Sequence, residues 1–216
     1  QKALHLLAQL PLPALADRAV SFVEKQSKAK QPYLLYLPLT SPHTPLAVGE
    51  SWRGKSGLGS DYADFVMETD AVIGRVMDAV RASGTGDDTL VIFTSDNGCA
   101  AYIGVKELEA QGHFPSGPLR DYKTSVYEGG HRVPFVVRWP REVKPGTVCN
   151  RLVLQADIIA TLAEVFETTL PPTAGEDSFS LMPLLKGGDQ PTRPNSVNTA
   201  CAGVPSVREG AWKLVL

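Results

Sequence analysis

Thr89-Leu90-Val91-Ile92-Phe93-Thr94-Ser95-Asp96-Asn97-Gly98 is the stretch on which the fold turns. An apolar run of strand type stops at a carboxylate, a carboxamide and a glycine. Open α/β folds bind their ligands at the C-terminal edge of the sheet, and this run brings two hard oxygen donors to such an edge. The plainer alternative is an Asp-Asn-Gly turn that closes a strand and does nothing more. Downstream, Lys123 precedes Tyr127-Glu128-Gly129-Gly130-His131-Arg132-Val133-Pro134. An oxygen pair followed by a cation points to a site for a metal-bound oxyanion.

Working outward, residues 13–29 carry apolar residues at helical spacing (Leu15, Ala19, Phe22, Val23). Tyr33-Leu34-Leu35-Tyr36-Leu37 has the continuous apolar character of a strand buried on both faces. It runs into Thr40-Ser41-Pro42-His43-Thr44-Pro45, where two prolines forbid regular structure. The strongest helical pattern starts at Ser60 and runs from Tyr62 through Val80; Ser60 and Asp61 suit its start, and Gly84 suits the residue past its end. Residues 98–121 read as a long irregular stretch, of a length that inside a compact domain is either functional or disordered. Val133–Trp139 reads as a strand with Pro134 near its beginning, and 155–167 as a helix. Beyond Pro171-Pro172, segments 196–201, 204–208 and 211–216 alternate with Gly and Pro, as in a small antiparallel lobe. The sequence therefore predicts an α/β chain with a core over 1–170 and a small C-terminal antiparallel lobe over 171–216.

Bulk properties narrow the function. A net charge of −2 and pI near 6.1 provide no basic field for nucleic acid or an anionic membrane surface. No run approaches the roughly 18 apolar residues of a membrane span. The three cysteines (Cys99, Cys149, Cys201) lack metal-type spacing and read as free thiols. Opening on Gln1 without a charged-then-apolar leader, the sequence reads as a processed chain or a segment of a longer protein.

Each candidate residue has a structural alternative. Asp96 and Asn97 fit a divalent cation, with calcium the expected ion; calcium takes about 6–8 oxygens, so two side chains leave its shell incomplete. His43 is either a solvated loop histidine or an imidazole aimed by flanking prolines. His113, in Gln111-Gly112-His113-Phe114-Pro115, is a weaker candidate of the same kind. Lys123 is either a surface lysine or a compact charge for a sulfate or phosphate oxygen, held beside glycines that allow close backbone approach. Glu128 is expected to pin its loop by capping N–H groups. His131, Asp70, Arg75 and Asp157 are expected to be structural.

Together these stretches resemble the C-terminal part of a type I sulfatase. The resemblance rests on Ser41-Pro42-His43-Thr44-Pro45, on Leu90–Gly98, and on Gly117-Pro118-Leu119-Arg120 leading through Lys123 to Tyr127–Pro134. Weaker echoes are Asp157–Leu162, Ser180–Leu185 and Val207–Leu214. The resemblance implies an alkaline-phosphatase-like mixed sheet flanked by helices, with a small C-terminal antiparallel sheet. It implies that Asp96 and Asn97 are part of a calcium site, that Lys123 contacts the sulfate group, and that His43 hydrogen-bonds sulfate near the leaving-group oxygen; His113 would line a sugar subsite. In the family's chemistry a formylglycine hydrate attacks sulfur in line and the ester oxygen departs. That nucleophile arises from Cys or Ser in C/S-x-P-x-R. None of the three cysteines stands in such a motif, no serine is assigned to it, and the acidic pair that completes the calcium shell is not found. The expectation is half an active site, inactive alone, with the nucleophile in a preceding region.

The expected substrate is a sulfated carbohydrate or aryl sulfate, and the resemblance favours a periplasmic or extracellular location. Two other readings stand beside this one: a phosphatase or phosphonate hydrolase of the same superfamily, and a non-catalytic binding module that kept the fold. If strands of the central sheet lie outside the chain, an exposed sheet edge should drive self-association.

Overall fold

The computed structural model describes residues 8–216, which divide into two compact units: the first up to Thr89 together with Ala100–Pro118, the second formed by Leu90–Cys99 and Leu119–Leu216.

The first unit is built on two helices, α1 (Pro11–Ala29) and α2 (Asp61–Ala82). Their apolar stripes meet in a core of Leu12, Ala16, Val48, Phe65 and Val72, against which Leu39, Leu46 and Trp52 pack. The ends of α2 follow the sequence reading: Ser60 accepts from the Ala63 N–H at 3.3 Å, and Gly84 lies just past the helix with φ +74°. Two buried carboxylates of α2 organise the loop before it. Asp64 accepts from the N–H groups of Gly54 (2.6 Å) and Ser56 (2.8 Å), and Glu68 from that of Gly49 (2.8 Å).

Two expectations change here. Tyr33–Leu37 forms no strand; no neighbour pairs with it among the described residues, and exposure alternates along it, with Leu34 and Tyr36 outward. A strand exists only through its ladder, so apolar content without a partner leaves an irregular segment. Tyr33 instead packs edge-on against Phe22 of α1, with ring centroids 5.6 Å apart. Conversely, the stretch read as irregular contains α3 (Val105–Ala110), which buries Val105 and Leu108. Its six residues are too short for a periodic signal to stand out.

The second unit holds β1 (Val91–Thr94) and β2 (Phe135–Arg138), paired antiparallel with Phe93 opposite Val136. Between them lies the single turn α4 (Glu128–His131). Helix α5 (Asp157–Val165) is fixed by a buried ion pair. Asp157, fully buried, accepts from Arg193 (3.1 and 3.2 Å) and from the N–H groups of Leu154 and Phe179. Arg193 spends its other donors on the carbonyls of Asn195 and Asp177. After the short α6 (Met182–Leu185) come β3 (Ser196–Thr199), β4 (Pro205–Glu209) and β5 (Trp212–Val215), an antiparallel sheet in the order β3-β4-β5. These are the three C-terminal segments expected from the sequence. The faces of this sheet invert the usual rule: Val197, Trp212 and Leu214 are exposed, whereas Ser196 and Ser206 are buried. Helices combined with small sheets bear out the α/β class.

Candidate functional site

Strand β1 delivers the chain to Ser95–Gly98, and the exit is held locally. The Gln155 side-chain amide donates to Thr94 Oγ1 (3.1 Å) and to the Ser95 carbonyl, while Ser95 Oγ donates to the Asn97 carbonyl at 3.0 Å. Asn97 turns its amide nitrogen to the Gly98 carbonyl (3.0 Å). That use of Nδ2 reserves Oδ1, the atom a hard cation takes. Asp96 is exposed beside it.

Three segments then lock together backbone to backbone. Gly98 N–H donates to the Gly130 carbonyl (3.0 Å), Lys123 N–H to the Cys99 carbonyl (2.7 Å), and Gly129 N–H to the Arg120 carbonyl (2.8 Å). A Cβ at Gly98 would lie 1.8 Å from the Gly129 carbonyl oxygen, one at Gly129 would lie 1.8 Å from that of Asp121, and one at Gly130 would lie 2.2 Å from that of Ser125. Only glycine permits this approach. The Glu-Gly-Gly turn is thus the block on which both the Asp96-Asn97 loop and the Lys123 loop rest.

Lys123 is bracketed by strain. Asp121 (φ 62°) and Thr124 (φ 80°) occupy the left-handed region. Asp tolerates that region, but a β-branched Thr is an outlier there, and such outliers concentrate at functional sites. The Thr124 conformation is held from outside by the Cys201 N–H, which donates to its carbonyl at 3.1 Å.

Glu128 does pin the loop, though through ion pairs rather than the N–H capping expected. Its Oε1 lies 2.8 Å from Arg208 Nη2 of β4 and 2.8 Å from Lys213 Nζ of β5. Burial alone would raise its pKa; the hydrogen bonds from Lys213 and Arg208 overcome this and hold it at about 2. Lys213 also donates to the Val126 carbonyl (2.5 Å) and approaches His131 Nε2 at 2.6 Å. His131 Nε2 also lies 2.9 Å from the Val126 carbonyl; burial, reinforced by the Lys213 charge, lowers the His131 pKa. His131 is structural, as expected. Arg208 and Lys213 carried no role in the sequence reading; the signal available was a pair of cations flanking a Glu-Gly hairpin on strands whose other face is apolar.

The remaining candidates belong to the first unit. His43 is exposed, its Nδ1 2.8 Å from the Thr44 carbonyl, which assigns the proton to Nδ1 in the neutral ring and leaves Nε2 open. Its loop is tied to α2 by the Thr69 hydroxyl, which donates to Ser41 Oγ at 2.8 Å. His113 is exposed at the end of α3, its N–H donating to the Leu108 carbonyl at 3.0 Å. The structure therefore brings the segments of Asp96, Asn97 and Lys123 together within the second unit. Among the described residues, no group of three or more His, Cys, Asp or Glu side chains is placed to hold a metal. One serine does satisfy the C/S-x-P-x-R spacing that the sequence reading assigned to none: Ser116-Gly117-Pro118-Leu119-Arg120. It lies in an irregular turn after α3, with Gly117 N–H donating to the Phe114 carbonyl at 2.9 Å.

The family model described as Sulfatase matches residues 13–168. The chain is 34% identical to an N-acetylgalactosamine-6-O-sulfatase of Bacteroides thetaiotaomicron over 93% of this chain and 39% of that protein. It is 34% identical to arylsulfatase A of Homo sapiens over 97% of this chain and 42% of that protein. Among solved structures, a Bacteroides thetaiotaomicron protein from a core genetic locus for metabolism of multiple glycosaminoglycans superposes with TM-score 0.87 at 32% identity, covering 95% of this chain and 42% of that one. Ps i-CgsB in complex with k-i-k-neocarrahexaose superposes with TM-score 0.81 at 26% identity, covering 94% and 45%. The chain thus spans about two fifths of the length of these relatives. With its strand-to-Asp-Asn-Gly exit, its lysine loop and its Glu-Gly-Gly turn interlocked as described, this chain belongs to the sulfatase family.

Proposed function

We propose that this chain is the C-terminal part of a sulfate ester hydrolase acting on a sulfated carbohydrate or aryl sulfate. The observation that carries the reading is the strained Lys123 loop, hydrogen-bonded to the strand exit that presents Asp96 and Asn97. The relatives support it: several act, by their names, on sulfated sugars or steroids. Lys123 holds a sulfate oxygen as a compact cation, and the open Nε2 of His43 is a group able to hydrogen-bond sulfate and protonate a leaving-group oxygen. Asp96 and Asn97 Oδ1 supply hard donors of the type calcium takes, so the donor set fits that ion in part. When bound, calcium would stabilise charge on the sulfuryl oxygens. The chain's own residues position the ester and balance its charge.

The nucleophile, a formylglycine, is assigned to a region preceding this chain, and we propose a division between core and C-terminal lobe near residue 170, inside the second compact unit. Isolated residues 1–216 should not turn over an aryl sulfate and should bind calcium weakly, because too few ligands are present. Metal-dependent hydrolysis by this chain alone, or sub-micromolar calcium binding lost in Asp96→Ala, would overturn that. Mass spectrometry of a Ser116 peptide provides the complementary check: the unmodified serine is expected, and formylglycine there would relocate the nucleophile. Phosphate and sulfate pockets share tetrahedral geometry, so the phosphatase alternative is decided by comparing sulfate and phosphate monoesters on the full-length protein. The non-catalytic alternative predicts hydrolysis of neither. Exposed Phe93 and Val136 on the β1–β2 pair, with Leu34 and Tyr36 in the first unit, underlie the proposed self-association of the isolated chain. A dilution-stable monomer in light scattering would count against it.

A further inference from the structure

Arg208 and Lys213 stand directly opposite each other on β4 and β5. Like charges in such register repel, and a counter-charge between them offsets the repulsion. Here that counter-charge is a single carboxylate oxygen, Glu128 Oε1, 2.8 Å from each cation. Lys213 is the more committed of the two. Its side chain is only 11% exposed, and its ammonium donates to Glu128 Oε1 and the Val126 carbonyl and lies 2.6 Å from His131 Nε2. This explains the inverted faces of the C-terminal sheet. The polar face is turned inward because it forms a socket, and the apolar side chains are left outside.

What the socket grips is the first residue of α4. The next two residues, Gly129 and Gly130, are the block against which the Arg120–Ser125 loop and Gly98 are packed with no room for a methyl group. A displacement of Glu128 is therefore passed to Lys123 through backbone contacts, without an intervening flexible side chain. The second hold on that loop, Cys201 N–H on the Thr124 carbonyl, comes from the β3–β4 connection of the same sheet.

We infer that Lys213, with Arg208, is a positioning residue for sulfate ester hydrolysis: the C-terminal sheet sets the placement of Lys123 by gripping Glu128. The inference rests on the sulfatase reading above. Neither cation needs to touch substrate.

The test uses the full-length protein and Lys213→Met, which keeps the aliphatic stem and removes the ammonium. A misplacement of about 1 Å at a reacting group costs on the order of 100-fold in rate, so kcat on an aryl sulfate should fall by about 10- to 100-fold while KM changes less than about threefold. If Lys213 acts through Lys123, the two losses must not add. In a Lys123→Ala background, Lys213→Met should cost less than about twofold, and Lys213→Arg should recover most of the wild-type rate. Full additivity would overturn the inference, because it would place the effect of Lys213 elsewhere. Amide hydrogen exchange supplies a readout independent of turnover. The Lys123 and Gly129 amides should exchange at least about tenfold faster in Lys213→Met, with α1 and α2 unchanged. Unchanged exchange at both amides would overturn the inference even if the wild type hydrolyses sulfate esters. Conversely, a wild type that hydrolyses none would remove the functional reading while leaving the exchange result to decide the linkage. If Lys213→Met fails to fold, Arg208→Gln carries the same expectations, since it removes one of the same two charges.

Discussion

Gly129→Ala is a severe test of the interlocked turn. The added methyl carbon would sit 1.8 Å from the Asp121 carbonyl oxygen and 2.7 Å from that of Arg120, both backbone atoms that no rotamer change can move aside. Relief to ordinary van der Waals contact requires about 1.5 Å of backbone displacement, well beyond what a packed interior absorbs without loss. Overpacking alone costs about 1–3 kcal/mol. The Gly129 N–H bond to the Arg120 carbonyl is lost with it, adding about 1 kcal/mol. A total near 3 kcal/mol lowers Tm by about 6–12 °C in a chain of this size. The control is Gly74→Ala, in the middle of α2, where the new methyl meets nothing within 4 Å. That substitution should stabilise by about 0.5–1 kcal/mol through helix propensity. Differential scanning calorimetry of the two variants makes the comparison. Equal Tm values for wild type and Gly129→Ala would refute the packing argument, and with it the claim that this turn supports the Lys123 loop.

Three further outcomes follow from particular contacts. Breaking the buried Asp157–Arg193 pair by Asp157→Ala leaves an uncompensated guanidinium and should cost about 3–5 kcal/mol in chemical denaturation; a cost under about 1 kcal/mol would mean the pair is solvated. Asp64→Ala orphans the Gly54 and Ser56 N–H groups, so limited proteolysis should cut residues 53–58 faster than in wild type, and an unchanged rate would show that Asp64 does not organise that loop. The Glu128 network should also make stability pH-dependent. Glu128 titrates near 2 in the fold against an ordinary 4.5, so the folded state binds its proton more weakly than the unfolded chain. Its contribution is complete above about pH 4.5 and disappears as pH falls toward 2; at 1.36 kcal/mol per unit the upper bound is about 3 kcal/mol, less whatever the quarter of the side chain facing water screens. His131, lowered below its ordinary 6.5, adds a loss of the same sign as pH falls through the region below neutrality. Urea denaturation from pH 7 to 3 should show this acid loss in wild type and a shallower one in Lys213→Met; identical slopes would contradict the network.

The elements that were legible in the sequence are those whose signal is local. The long amphipathic stripe fixed the extent of α2, Ser60 and Gly84 marked its ends, and the alternating C-terminal segments gave the three strands of the small sheet. Tyr33–Leu37 misled because apolar content reports burial, whereas a strand also needs a ladder partner, which local sequence cannot supply. The paired glycines announce close backbone approach next to Lys123, but that the segment packed against them is the Asp96-Asn97 exit is set by a contact distant in sequence. Arg208 and Lys213 stayed hidden because their partner, Glu128, lies 80 and 85 residues away, and no periodicity records such a pairing. Asp157 was recognised as structural from its helix-start position, but its partner Arg193 was not, for the same reason.

The central proposal is that Asp96, Asn97 and Lys123, held together within the second unit, serve one tetrahedral dianion. A crystal structure of the full-length protein grown with calcium and inorganic sulfate tests it most directly. The expected result is Asp96 and Asn97 Oδ1 on one calcium at about 2.3–2.6 Å, with Lys123 Nζ within hydrogen-bond distance of the sulfate. Sulfate bound away from Lys123, or a calcium held without Asp96 and Asn97, would contradict it.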